Sequence, residues 1–203
     1  HFQAAGGMGV LIGELLKHGL MHEDIMTVAP TRGMNSYTQE PKLVDDNLIW
    51  EEGPEHSLDD DVIGSIKKPF STSGGLHLIH GNLGRGMSKI SAVAEEHQMV
   101  EAPAMVFDDQ DDVVAAFKRG EMEQDVVVVL RFQGPKANGM PELHKLTPLL
   151  GSLQDKGFKV AIVTDGRMSG ASGKVPSAIH MCPECEVGDP LTRVRTGDII
   201  HLN

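Results

Sequence analysis

Five consecutive residues, Val126-Val127-Val128-Val129-Leu130, constrain the fold around them more than any other stretch. Successive side chains of a strand point to opposite faces, so a run with no polar position has no face to give to water. It reads as a buried strand. Phe158–Val163 repeats the signal and ends at Thr164-Asp165-Gly166. Leu76–His80 and Ala104–Phe107 read as further strands. Asp108-Asp109 fits the N-cap of a helix over Asp111–Lys118, and Pro141–Lys156 reads as a second helix stopped by Gly157. Val194–Leu202 reads as a strand, a turn at Thr196-Gly197-Asp198, and a strand. These elements predict a mixed α/β domain over residues 71–203.

The chain before it has a different texture. Gly6-Gly7 leads into a predicted amphipathic helix over Met8–His18, with Leu11, Ile12, Leu15 and Leu16 at helical spacing and Gly19 as its stop. Residues 30–70 show little periodicity and read as a long connection carrying solvated acids. Residues 1–70 therefore stand apart from 71–203. The chain starts at His1 rather than Met and stops straight after Ile199–Leu202. Both ends read as cut, which puts any targeting signal out of view.

Aromatic residues make up only 4% of the sequence, so the core must be built from Val, Ile, Leu, Met and Ala. The formal net charge is −11. That argues against nucleic-acid or anionic-membrane partners, which require clustered Lys and Arg. It leaves room for a local anion site. No run approaches the roughly 18 apolar residues of a membrane span. Two cysteines, Cys182 and Cys185, are too few for a disulfide-stapled domain. They form a C-x-x-C pair without the second pair a structural zinc needs, and they read as ordinary thiols unless His180 and His201 complete a site.

Three polar, Gly-rich loops follow predicted strands. The first runs Thr164-Asp165-Gly166-Arg167-Met168-Ser169-Gly170-Ala171-Ser172-Gly173-Lys174. Its small residues let a ligand approach the backbone, Arg167 and Lys174 bring positive charge, and Ser169 and Ser172 bring hydroxyls. It fits either a site for an anionic polar substrate or a plain turn. It is not a P-loop, because Met168 stands where that motif needs Gly and Val175 where it needs Ser or Thr. The second loop, Gln133–Glu142, contains Lys136 and Asn138 and opens the predicted helix. Glu142 at that helix start fits a capping residue or a metal ligand. The third, Leu78–Gly86, is weak alone. Two such loops at strand ends point to one shared crevice.

Taken together and in order, four stretches resemble the dihydroxyacid/phosphogluconate dehydratase family: AAGGMG at 4–9, GNLGR at 81–85, QGPKANGMPELHKL at 133–146 and TDGRMSGASGKVPSAIH at 164–180. The forms PKANGMPELHKL and SGASGKVPSAIH look like its 6-phosphogluconate branch rather than its branched-chain amino-acid branch. The resemblance implies a C-terminal, β-barrel-like swivelling β/β/α domain over 71–203, preceded over 1–70 by the helical tail of an α/β N-terminal domain and an inter-domain crossing. It implies a hydro-lyase that removes water from 6-phosphogluconate in the Entner–Doudoroff pathway, with this chain carrying half of the site. It further implies a cytoplasmic homodimer whose N-terminal domain lies in the same longer chain.

The resemblance also assigns roles. An iron–sulfur cluster, of the 4Fe–4S kind, acts as Lewis acid and is bound by the N-terminal domain; Cys182 and Cys185 do not match its ligands. Mg²⁺ holds the substrate carboxylate. Ser169 matches the family's base, and Glu142 matches a carboxylate that reaches Mg²⁺. Arg167, Lys174 and Lys136 are the candidates for the substrate's phosphate or carboxylate, with Asn138, Gly170 and Ser172 beside them. Some sugar-acid members carry Thr where this chain has Ala171, so a hydroxyl role there passes at most to Ser172. Two other readings stay open: a dehydratase of unphosphorylated dihydroxy or sugar acids, and a non-catalytic interface domain.

Overall fold

The computed structural model describes residues 1–29, 33–169, 173–188 and 190–203. The chain divides into two compact units, His1–Ser73 and Gly74–Asn203.

The first unit opens with helix α1, Gly7–Lys17, whose start and end lie within a residue of expectation. A 3₁₀ turn, Asn35–Thr38, leads into an antiparallel hairpin of β1, Gln39–Val44, and β2, Asn47–Glu52. This hairpin lies in the stretch expected to be irregular. Its turn pair, Asp45-Asp46, adopts positive φ at both positions (48° and 61°), as a two-residue hairpin turn demands. Asp-Asp is a weaker sequence cue for that turn than Asn-Gly, and the flanking residues are almost all exposed, so no alternation marks the strands.

The second unit is a mixed α/β fold around seven strands: β3 Leu76–Gly81, β4 Gly84–Lys89, β5 Val100–Phe107, β6 Val126–Leu130, β7 Val160–Thr164, β8 Ser177–Cys182 and β9 Ile199–Leu202. Their order across the sheet is β3-β4-β8-β7-β6-β5-β9. The four central strands, β8, β7, β6 and β5, run parallel, and antiparallel strands flank them on both sides. The sheet curls: a cavity of about 80 Å³ is lined at once by Ile79–Gly84 from one edge and Ile200–Asn203 from the other.

The all-apolar runs are central, and both of their faces are covered. Val126, Val128, Leu130, Val160 and Ile162 pack under helices α2 (Gln110–Lys118) and α4 (Leu146–Asp155), through Val113, Leu146, Leu150 and Leu153. Val127, Val129, Ala161 and Val163 face the opposite cluster, with Val100, Leu191, Ile200 and Leu202. Helix α2 begins as its sequence predicts, with the Asp109 carboxylate accepting from the Asp111 N–H at 2.7 Å.

Three expectations are corrected. The helix expected over Pro141–Lys156 begins only at Leu146, as α4, and a separate short α3, Pro135–Asn138, precedes it. Between them Gly139 and Met140 turn left-handed (φ 67° and 55°), and Pro141 disfavours helix in the residue before it. Glu142 is therefore not at a helix start; it forms an isolated parallel bridge with Arg167. The strand–turn–strand over Val194–Leu202 keeps only β9, because a 3₁₀ turn over Pro190–Arg193 precedes it. The third Gly-rich loop is a tight hairpin, Gly81 pairing with Gly84, that enters β4. Sequence did not mark β4 because of its glycines. Gly86 sits at a register shift against β8, where a Cβ would lie 2.5 Å from Met181 Sδ.

Candidate active site

The parallel strands end together, and the segments leaving β6, β7 and β8 are tied by one buried carboxylate. Asp165, 1% exposed, accepts from the Gln133 N–H at 2.8 Å and the Cys185 N–H at 3.0 Å. Gln133, also buried, donates to the carbonyls of Asp108 and Arg131. Glu184 accepts from the Lys136 N–H at 2.9 Å. Non-glycine residues with positive φ gather here: Phe132, Met140 and His180. Strained backbone of this kind persists where surrounding contacts over-determine it, as around binding sites. A cleft of about 440 Å³ opens among Pro135, Met140, Asp165, His180 and Glu184.

The loop after β7 places Ser169 at a second junction. Its N–H donates to Glu142 Oε1 at 2.9 Å, and its carbonyl accepts from Lys89 Nζ at 2.8 Å. Glu142 Oε1 also accepts from the His144 N–H at 3.0 Å. Arg167 sits alongside, with Nε donating to the Met140 carbonyl at 2.7 Å and Nη1 3.7 Å from Glu142 Oε2. Lys89 is 6% exposed. Burial pushes its ammonium below the ordinary lysine range, and the Glu142 carboxylate opposes that shift.

The structure thus brings Ser169, Glu142 and Arg167 together. The other predicted residues lie apart from that contact set. Lys174 pairs with Asp155 at the end of α4. Lys136 is exposed on α3. Asn138 donates to the Gln133 side chain at 3.2 Å, which gives it a structural task. Gly170 and Ser172 lie outside the described residues, as does Ala171. Lys89 was not singled out from sequence: it lies in Gly-Arg-Gly-Met-Ser-Lys, without periodic signal, and meets Ser169 only through an 80-residue separation.

Among the described residues no group of three or more His, Cys, Asp or Glu side chains is placed to hold a metal. Cys182 is exposed and Cys185 buried. Glu142 fits a single carboxylate ligand: Oε1 is engaged by two N–H groups, while Oε2 makes a longer contact, 3.7 Å, to the exposed Arg167. No helix among the described residues is long and apolar enough to cross a membrane.

Residues 61–203 match the family model described as dihydroxy-acid/6-phosphogluconate dehydratase C-terminal. The whole chain is 63% identical to a phosphogluconate dehydratase of Pseudomonas aeruginosa, covering 33% of that protein, and 60% identical to one of Escherichia coli K12, covering 34%. A dihydroxy-acid dehydratase of Agathobacter rectalis is 38% identical over 98% of this chain, which covers 33% of that relative. The chain spans about a third of the length of the curated relatives it matches.

Proposed function

The chain belongs to the dihydroxy-acid/6-phosphogluconate dehydratase family, and on that basis we propose that it carries part of the active site of a hydro-lyase acting on 6-phosphogluconate. The observation that carries the reading is 60–63% identity, over the whole chain, to enzymes named phosphogluconate dehydratase.

The reaction converts 6-phosphogluconate to 2-keto-3-deoxy-6-phosphogluconate plus water, the Entner–Doudoroff dehydration. The C2–H bond breaks, the C3–OH bond breaks, and the resulting enol takes a proton at C3 to become the keto acid. The C2 proton beside a carboxylate is very weakly acidic, so a base and stabilisation of developing negative charge are both required. Ser169 is the candidate base, and a serine hydroxyl accepts a proton well only when nearby positive charge activates it. Arg167 and Lys89 supply such charge. Glu142 would hold Mg²⁺, which when bound neutralises the substrate carboxylate and the enediolate that forms from it. The described residues offer an iron–sulfur cluster no ligand set, so its ligands are assigned to the N-terminal domain of the longer enzyme.

Lys136, Arg167 and Lys174 are the candidates for the phosphate. The Lys174–Asp155 pair is exposed and of the class worth about 0–1 kcal/mol, so an incoming dianion would displace Asp155 readily. The reading extends to a swivelling domain over 71–203, to residues 1–70 as the tail of the preceding domain with its crossing, and to a cytoplasmic homodimer.

The test is anaerobic turnover of the full-length enzyme beside Ser169→Ala and Lys136→Ala. Expected are turnover by wild type, a kcat loss in Ser169→Ala of at least about 100-fold, and a raised KM with near-normal kcat in Lys136→Ala. Preference for an unphosphorylated dihydroxy acid would replace the substrate assignment, the alternative that the 38% relative keeps in view. Near-normal kcat in Ser169→Ala would move the base elsewhere.

A further inference from the structure

We propose that Lys89 is a positioning residue for Ser169, holding the serine's peptide in register by an ammonium-to-carbonyl hydrogen bond from the neighbouring strand. The inference rests on the reading of Ser169 as the base.

Three observations carry it. Lys89 ends β4, paired in register with Ser177 at the start of β8, so its backbone is fixed by the sheet. Its side chain is buried, yet its Nζ reaches the Ser169 carbonyl at 2.8 Å. The same peptide is held on its other side, where the Ser169 N–H meets Glu142 Oε1 at 2.9 Å. Ser169 is thus gripped through both backbone groups by two opposite charges, one from strand β4 and one from the segment between α3 and α4.

Burying a lysine is costly, and a neutral donor would satisfy one carbonyl. A charged donor forms a shorter and roughly twice stronger bond than a neutral one. The ammonium also balances the Glu142 carboxylate across the peptide, and that carboxylate acts on it electrostatically. A base must be held to a fraction of an ångström of its proton, and displacement by about 1 Å can cost about 100-fold in rate. The two-sided grip answers that requirement, and it acts through Ser169 rather than on the substrate.

The test uses the full-length holoenzyme with Lys89→Gln, Lys89→Met and Lys89→Arg, each with its thermal midpoint. Expected is a kcat about 100-fold lower in Gln and Met, with KM within about threefold of wild type, and recovery to about a tenth of wild-type kcat or better in Arg. Wild-type kcat in Gln overturns the inference. So does a loss that falls on KM as much as on kcat and is equal in all three variants, since that marks a general fold defect. Should Met fail to fold, Gln, which retains a donor and similar length, carries the comparison. Wild type separates the two readings: if it dehydrates 6-phosphogluconate while Gln keeps full kcat, only the Lys89 role fails. If wild type dehydrates another dihydroxy acid, the same variants are compared on that acid. If it dehydrates none, the dehydratase reading fails and the Lys89 role falls with it.

Discussion

Asp165 is a single carboxylate that serves two chain segments, and its removal leaves two buried N–H groups, those of Gln133 and Cys185, without their acceptor. An unsatisfied buried donor costs about 1–3 kcal/mol. Asp165→Ala should therefore lower unfolding free energy by about 3 kcal/mol in urea titration. A loss under half a kilocalorie would mean water takes over both bonds. Gly166, next in sequence, has no room for a methyl: a Cβ would stand 2.7 Å from Gln133 Cβ and 2.9 Å from Leu143 Cδ1. Gly166→Ala should destabilise by about 1–3 kcal/mol through overpacking. Lys89 makes a prediction of opposite flavour. Burial lowers its pKa in the folded chain below the ordinary 10.5, so between the two values the unfolded chain binds more protons. Stability tied to this group therefore rises with pH through that window. The wild-type urea midpoint should gain on that of Lys89→Met as pH rises from neutral toward 10.5, and a constant difference would contradict the burial effect.

At the scale of elements, α4 packs against α2 and β7, and Leu150, fully buried, sits in the middle of α4. Leu150→Ala should cost about 2–5 kcal/mol in the same titration. The elements legible in sequence are those whose signal is local. The apolar run Val126–Leu130 fills its strand residue for residue, and the Asp109 cap sets the start of α2. What was illegible depends on partners far along the chain. β4 is a strand because β3 and β8 pair with it, despite two glycines; the hairpin β1–β2 buries too little to show alternation. The site divides the same way. Ser169, Glu142 and Arg167 are marked by motif, and their mutual contacts follow. Lys89 carries no local mark, and the Gly139-Met140 turn that removes Glu142 from a helix start shows only in backbone conformation.

At the scale of the whole molecule, the two units differ in how they treat apolar surface. The first exposes Leu43, Leu48 and Trp50 on its hairpin, while the second covers both faces of its central strands. Trp50 is the sole tryptophan of the sequence and is 56% exposed. In the 203-residue chain its emission should be that of a hydrated indole, open to acrylamide quenching. A protected, blue-shifted emission would show that the hairpin face is covered. The same purified chain should show no dehydratase turnover, since it spans about a third of the length of the dehydratases it matches; measurable activity would refute that.

The grip on Ser169 also has a temporal consequence. Its two ends close sequence separations of 27 residues to Glu142 and 80 to Lys89, and the longer one requires β4 to have docked on β8. Contacts of long separation form late, because the entropy of closing the intervening loop is lost before they return anything. Helical signal from α2 and α4 should therefore recover first after dilution from denaturant. Catalytic competence would be the last property the refolding chain acquires, and the first lost when the outer strands fray.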